Sequence, residues 1–320
     1  MPSPSEDIAP MSAFRDLAQR HRRALHVHCY RMVGSFTEAD DLVQETLLRA
    51  WRARDSFNEV DGEVGLRRWL YRIATNACLD HLRSSARKVV SYHSFAEVPW
   101  LQPYPDRLLD ELAADDATPD DAVTTKETIA LGYLALVQLL PPRQRAIFLL
   151  REALGWSAAE TASLLKLSVA ATNSALQRAR QTIERHAGST PGDTVRAPSD
   201  DERAVLQAFI DAHQGADPRA SVALLCEDIR VTMPPHPLCY EGVPRLAPLI
   251  AGAAQMGEWR LVSAWANRQP AAVSYLRRPN DREFRAFKID VLRIRDRRIQ
   301  EITTFEGRLV DLFGLPTVLP

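Results

Sequence analysis

At 320 residues, with a formal net charge of −1 and 25% charged residues, the chain has room for two or three domains, each with its own core. Its apolar fraction of 46% excludes a wholly disordered chain. The longest apolar run, Ile129–Val137, ends at Gln138 and Pro141-Pro142 and is too short to span a bilayer. The cysteines Cys29, Cys78, Cys226 and Cys239 form no C-x-x-C pair, so no zinc or redox motif is expected and a reducing, cytoplasmic setting fits.

Residues 1–10 carry neither a basic nor an apolar stretch of the kind a signal peptide needs, and read as a disordered leader. Residues 11–88 follow helical spacing without a proline. They hold 14 Lys/Arg against 10 Asp/Glu. Within them, His26-Val27-His28-Cys29 has no second ligand cluster and reads as helix packing, so no metal and no cofactor is expected. The helix around Asp40–Trp51 begins with acids, which its dipole favours. It turns Val43, Leu47 and Ala50 to a core and Asp41, Gln44, Glu45, Arg49 and Arg52 outward. The next helix, Leu66–Arg83, buries Trp69, Leu70, Ile73, Ala74 and Ala77. It presents Arg68, Arg72, Thr75, Asn76 and Arg83, cationic and amide groups suited to single-stranded DNA. Asp80 is expected to pair with a neighbouring arginine.

Residues 89–127 have four prolines and an acidic run that includes Asp106, Asp110, Glu111 and Asp115, and read as a linker. Residues 128–187 are helical and basic again, with 7 Lys/Arg against 3 Asp/Glu. Two basic modules therefore flank an acidic stretch, and the near-zero total hides them. Ser157-Ala-Ala-Glu160 is a capping box that opens a helix over Ala158–Leu165. Lys166-Leu167-Ser168 is a tight turn and Ser168 caps a second helix, which is helix–turn–helix spacing. The second helix buries Val169, Thr172, Leu176, Ala179 and Ile183. It faces Asn173, Ser174, Gln177, Arg178 and Gln181 outward, side chains that can bond base edges and phosphates in a major groove.

Residues 188–200 form a second linker by composition. Residues 201–320 change character. Helices over Glu202–Gly215 and Arg219–Cys226 precede strands at Ala272–Leu276, Glu283–Arg295 and Ile299–Phe305, with a hairpin turn at Asp296-Arg297-Arg298. A separate α+β domain is expected.

Asp41-Leu-Val-Gln-Glu-Thr with Arg-Ala-Trp51, Trp69-Leu-Tyr-Arg-Ile-Ala-Thr-Asn76 and Leu79-Asp80-His-Leu-Arg83 resemble domain 2 of the extracytoplasmic-function (ECF) sigma-70 factors. Leu140-Pro-Pro-Arg-Gln-Arg-Ala-Ile-Phe148 with the helix–turn–helix resembles their domain 4. Asp228–Met233, Tyr240–Gly242 and Trp265–Pro270 are similar to a SnoaL-like (NTF2-like) domain, as in the SigG-like and SigX5-like branch. The resemblance implies two all-α modules, a domain 2 bundle over 11–88 and a domain 4 over 128–187, followed by a cone-shaped α+β domain.

It implies a cytoplasmic, non-enzymatic initiation factor whose partners are core RNA polymerase, through the β′ clamp helices and β flap, and promoter DNA. An anti-sigma factor or a small-molecule ligand would be a further partner. Asp40, Asp41, Leu42, Val43, Gln44 and Glu45 would meet the clamp. Arg68, Arg72, Asn76, Arg83 and Lys88, with the loop Asp55–Gly65, would engage the melted −10 element. Asn173, Ser174, Gln177, Arg178 and Gln181 would read the −35 element. The acidic linker would lie near the catalytic cleft. Met233, His236, Trp259, Trp265, Asn267, Gln269 and Phe305 are candidates for lining a pocket. Ala170-Ala171-Thr172 departs from the Gly-Thr-Val common in the family, so promoter preference does not carry over. The alternative reading is a ligand-responsive, one-component DNA-binding regulator that never touches polymerase.

Overall fold

A computed structural model describes residues 8–57, 62–85, 98–115, 130–187 and 199–320. The leader up to residue 7, Lys88, residues 58–61 of the expected −10 loop and linker residues 188–198 lie outside them. The chain divides into two compact units.

The first unit opens with α1 (Ile8–Val33), α2 (Phe36–Arg52) and α3 (Gly62–Ser84). Gly34, at φ +76°, supplies the left-handed turn that ends α1, a conformation glycine adopts without a Cβ clash. Ser35 then caps α2, its hydroxyl accepting from the Glu38 backbone N–H at 3.4 Å. The three helices bury Leu25, Tyr30, Met32, Val43, Leu70, Ala74 and Cys78. His28 sits inside this bundle with Nε2 at 2.9 Å from the Thr75 hydroxyl, and His26 packs on the Phe36 ring at 4.4 Å. Burial pushes the His28 imidazole down to about 3 and that of His26 to about 4, so both are neutral packing groups.

Later in the chain come α5 (Leu131–Gln138) and α6 (Pro142–Phe148), which runs into one π-helical turn, Leu149–Ala153. They lead to α7 (Ala158–Leu165) and α8 (Val169–Ala187). The capping box is formed: the Ser157 hydroxyl accepts from Glu160 N–H, and the Glu160 carboxylate accepts from Ser157 N–H. Lys166, in the left-handed region at φ +52°, makes the turn, and Ser168 Oγ accepts from Ala171 N–H at 3.1 Å. The expected stripe needs one correction. Val169 is 45% exposed and Ala175 is buried in addition to Thr172, Leu176 and Ala179, because the stripe closes only after the helix has left the turn.

The second unit contains α9 (Asp200–Gln214), α10 (Pro218–Ala223), α11 (Val243–Ala254) and an open sheet. Its strands are β1 (Leu225–Met233), β2 (His236–Glu241), β3 (Glu258–Ala266), β4 (Gln269–Arg277), β5 (Phe284–Arg295), β6 (Arg298–Glu306) and β7 (Val318–Leu319). The order is β2-β1-β6-β5-β4-β3, with β7 on β5. All neighbours are antiparallel except the β1–β6 pair. Asp296 and Arg297, both at positive φ, form the β5–β6 hairpin turn, as such two-residue loops require. One face of the sheet packs Trp259, Leu261, Ala272, Leu276 and Leu292 with Val205, Phe209 and Ile210 of α9. Strand alternation turns Val273, Tyr275, Ile289 and Phe305 to the other face, where they are also buried.

The stretch read as a plain linker is built into this second unit. Residues 98–111 belong to it, and α4 (Asp106–Asp115) follows Pro105. Val98, Leu101, Tyr104 and Leu109 are buried. Prolines and acids suppressed the helical signal, while the acids at its start favour the helix dipole.

Candidate nucleic-acid interface

Three surfaces carry the polar groups expected to act. On α2, Asp41 and Gln44 are exposed and Glu45 half-exposed, whereas Leu42 and Val43 are buried in the bundle. Leu42 and Val43 are thus core positions rather than contacts, a correction that follows from helical periodicity. Leu48, 43% exposed, joins Asp41, Gln44 and Glu45 at i, i+3, i+4 and i+7; an exposed leucine on a charged face was the signal missed. Asp40 is held by Arg22 at 2.9 Å and accepts from Gln44 at 3.1 Å. Partial burial opposes ionisation there, but those two bonds outweigh it and keep the carboxyl below its usual range. Arg49 bridges Glu45 at 2.7 Å and Asp80 at 3.0 Å, and both bonds raise the arginine further. Asp80 also meets Arg83 at 3.3 Å, so it does pair with arginines.

On α3, Arg68, Arg72, Asn76 and Arg83 are exposed along one side, while Thr75 is buried and donates to Tyr71 O at 2.8 Å. Trp69 stands half-exposed beside them with the Phe57 ring 5.4 Å away. Trp51 lies under Arg54 at 4.3 Å. A cavity of about 460 Å³ opens here, lined by Phe57, Val64, Arg68, Trp69 and Arg72, with Trp156 and Glu160 on its far wall. Stacking rings beside guanidinium groups suit unpaired bases and their phosphates.

On α8, Asn173, Ser174, Gln177, Arg178 and Gln181 are all exposed. Arg180 is tied to Glu152 at 2.6 Å, which takes it out of the set. The first acid on the helix is Glu184, so phosphates meet no carboxylate over its first four turns.

The seven pocket candidates of the C-terminal domain do not form one site. Trp259 belongs to the face packed by α9, while Phe305 pairs with Ile289 and faces the other way. Asn267 is fully buried at the β3–β4 turn, where its N–H donates to Tyr104 O at 2.8 Å and its Oδ1 accepts from Tyr104 N–H at 2.7 Å. Trp265 and Gln269 pair with Pro270 and Ala266 beside that turn. Met233 packs against the α9-side core, and His236 is an exposed strand residue 3.9 Å from Glu306. The sequence overlooked the polar group on the α9 side. Lys288 meets buried Asp290 at 2.8 Å, Thr304 donates to Asp290 at 2.7 Å, and His213 lies edge-on to Trp259. Burial pushes His213 down to about 4.

The linker is fastened at the same turn. Arg268 N–H donates to Asp106 Oδ1 at 2.8 Å and its guanidinium meets Asp110 at 2.5 Å. Arg107 donates to Leu312 O at 2.9 Å. Burial pushes the Asp106 carboxyl up to about 6 in spite of Arg268. Two members of the acidic run are therefore anchors, not free charge. Among the described residues, no group of His, Cys, Asp and Glu could hold a metal ion, and no helix is long and apolar enough to cross a membrane.

Comparison with known proteins covers both helical modules. Residues 17–88 match the Sigma-70 region 2 family and residues 131–183 the Sigma-70, region 4 family. The ECF RNA polymerase sigma factor SigG of Mycobacterium tuberculosis is 37% identical over 317 residues, spanning 93% of this chain and 83% of that protein. The chain belongs to the ECF RNA polymerase sigma factor family. Sigma factor SigW of Bacillus subtilis, 30% identical, matches 54% of this sigma factor and 88% of its own length. The crystal structure of Mycobacterium tuberculosis SigJ, at 20% identity, aligns with 97% of this sigma factor at a TM-score of 0.61. That likeness establishes the fold, two helical sigma modules followed by an α+β domain whose sheet stays open.

Proposed function

We propose that this sigma factor binds core RNA polymerase through Asp40, Asp41, Gln44, Glu45 and Leu48. It engages melted −10 DNA through Arg68, Arg72, Asn76 and Arg83 beside Trp69, and reads the −35 duplex through Asn173, Ser174, Gln177, Arg178 and Gln181. The observation that carries this reading is the division of exposed groups. An acid-and-amide face on α2 suits a protein partner, and two separate cationic, amide-rich faces on α3 and α8 suit DNA. A repressor acting alone would need only the last of the three. The C-terminal domain acts as a regulator rather than an enzyme. It holds residues 98–111 of the chain between regions 2 and 4, and a ligand or an anti-sigma factor controls the protein by favouring one state of that linker. Its place of action is the cytoplasm, with the polymerase.

The test is transcription of genomic DNA by purified core polymerase with and without the full chain, followed by mapping of RNA 5′ ends. New start sites sharing −10 and −35 sequences are expected. Duplex binding without any new start site would favour the one-component regulator instead.

A further inference from the structure

The side of the C-terminal sheet that faces α9 carries polar groups the fold leaves unsatisfied. Cross-strand partners project to the same face. Leu261 of the α9-side core pairs with Ser274, and Ser274 pairs with Lys288. Two residues further along β5, Asp290 pairs with Thr304. His213 of α9 faces this group. Its ring meets Trp259 edge-on at 4.9 Å, and Lys288 and Asp290 are near enough to act on its titration. Ser274 is fully buried, yet its Oγ has no hydrogen-bond partner among the described residues, and neither has His213 Nε2. A buried polar atom without a partner costs stability, and native proteins keep few of them. Two in one cluster mark a place shaped to bond something outside the chain.

The surroundings set its chemistry. Lys288 meets Asp290 at 2.8 Å and Thr304 donates to the other Asp290 oxygen at 2.7 Å, so cation and carboxylate cancel. Glu306, directly opposite Lys288, accepts from Arg308. Burial, with Lys288 beside it, pushes His213 down to about 4 and leaves its ring neutral near neutral pH. A charged ligand would bring an uncompensated charge into this low-dielectric site, and an uncharged one would not. The remaining wall is aromatic. The Phe287 ring stands edge-on to Trp259 at 5.4 Å, and Lys288 Nζ lies 5.9 Å from the Trp259 ring centroid. Phe287 is 37% exposed and the Lys288 side chain 20%, so the cluster reaches solvent along that edge.

We propose that this face of the C-terminal domain is a binding site for an uncharged ring compound bearing a hydroxyl or carbonyl oxygen. The ring packs on Trp259 and Phe287, and the oxygen bonds Ser274 Oγ and His213 Nε2. In its regulatory use the site rests on the function proposed above; binding itself does not.

The full chain, labelled with fluorotryptophan, is titrated with phenol, toluene and benzoate near neutral pH and followed by fluorine NMR. The Trp259 signal is the one missing from Trp259→Phe. Phenol at millimolar concentration is expected to move that signal more than those of the other tryptophans, and toluene and benzoate to bind several-fold more weakly. Ser274→Ala is expected to weaken phenol about three- to tenfold, the usual worth of one hydrogen bond, without weakening toluene. It should also melt no lower than the unmodified chain, because it removes an unsatisfied buried hydroxyl. A purely structural serine would not separate phenol from toluene. A Trp259 signal unmoved by phenol, equal affinity for phenol and toluene, or tighter binding of benzoate would overturn the site. A lower melting temperature for Ser274→Ala would also overturn it, by showing that the fold already satisfies the hydroxyl. Absence of promoter-directed transcription would sink the sigma role and leave these binding results standing.

Discussion

Asn267→Ala probes the fastening of the linker most directly. Asn267 is fully buried, sits in the left-handed region at φ +55°, and its Oδ1 accepts the Tyr104 N–H at 2.7 Å. Alanine leaves that buried N–H without its acceptor, at a cost of about 1–3 kcal/mol. It also places a side chain in a backbone region that asparagine tolerates better, adding about 1 kcal/mol. Docking of residues 98–111 should therefore weaken by about 2–4 kcal/mol. Amide exchange across those residues should then rise by about 30- to 1,000-fold where opening is in rapid equilibrium. Asn267→Gly isolates the hydrogen bond, because glycine accepts the positive φ, and should fall short of the alanine effect by several-fold. The assay is hydrogen exchange of the full chain with a denaturation midpoint alongside. A change below about threefold across 98–111, with the midpoint lowered, would refute the clasp and leave Asn267 a hairpin residue only.

Other outcomes follow from the same geometry. Gln44→Ala with Glu45→Ala should weaken core polymerase binding about tenfold while duplex binding by α8 survives; loss of both would indicate misfolding, which circular dichroism would register. Gln177→Ala and Arg178→Ala should each cost about 1–3 kcal/mol of duplex affinity at a −35 sequence, read by fluorescence anisotropy at fixed salt. His26 and His28 have imidazoles lowered from 6.5 to about 4 and about 3. Below pH 6.5 the unfolded chain binds the more protons, so their stabilising neutrality is complete above that pH and lost as pH falls. By pH 5 each should contribute about 2 kcal/mol of destabilisation relative to pH 7.5, and urea midpoints that do not fall would contradict this. Asp106 has the opposite sign. Its carboxyl is raised to about 6, so ionisation opposes docking above that pH and the opposition fades toward 3.8. In Arg268→Ala, exchange of residues 98–111 should be slower at pH 5 than at pH 7.5, after correction for intrinsic exchange rates.

The exposed cations and amides of α3 and α8 were legible because residues at helical spacing form a local pattern. The α7–turn–α8 boundaries were legible for the same reason, since Ser157, Glu160 and Ser168 cap through bonds that span only three residues. Leu42 and Val43 were legible as core only once periodicity was set above motif membership. Lys88 lies outside the described residues.

The sequence by itself determined the family, the helical modules, the polar faces and the presence of a C-terminal α+β domain, because each rests on local periodicity, capping or a contiguous motif. Tertiary structure alone decided what joins distant segments. Asn267 clasps Tyr104 across 163 positions, Arg145 caps a helix 113 positions earlier, and Arg68 meets Glu160. It also decided that Trp259 and Phe305 look in opposite directions, since strand register is set by pairing partners and not by the strand's own residues. The acidic linker shows the limit most plainly: its composition spoke of solvent, and a partner surface with an arginine at a left-handed turn made an anchor of it.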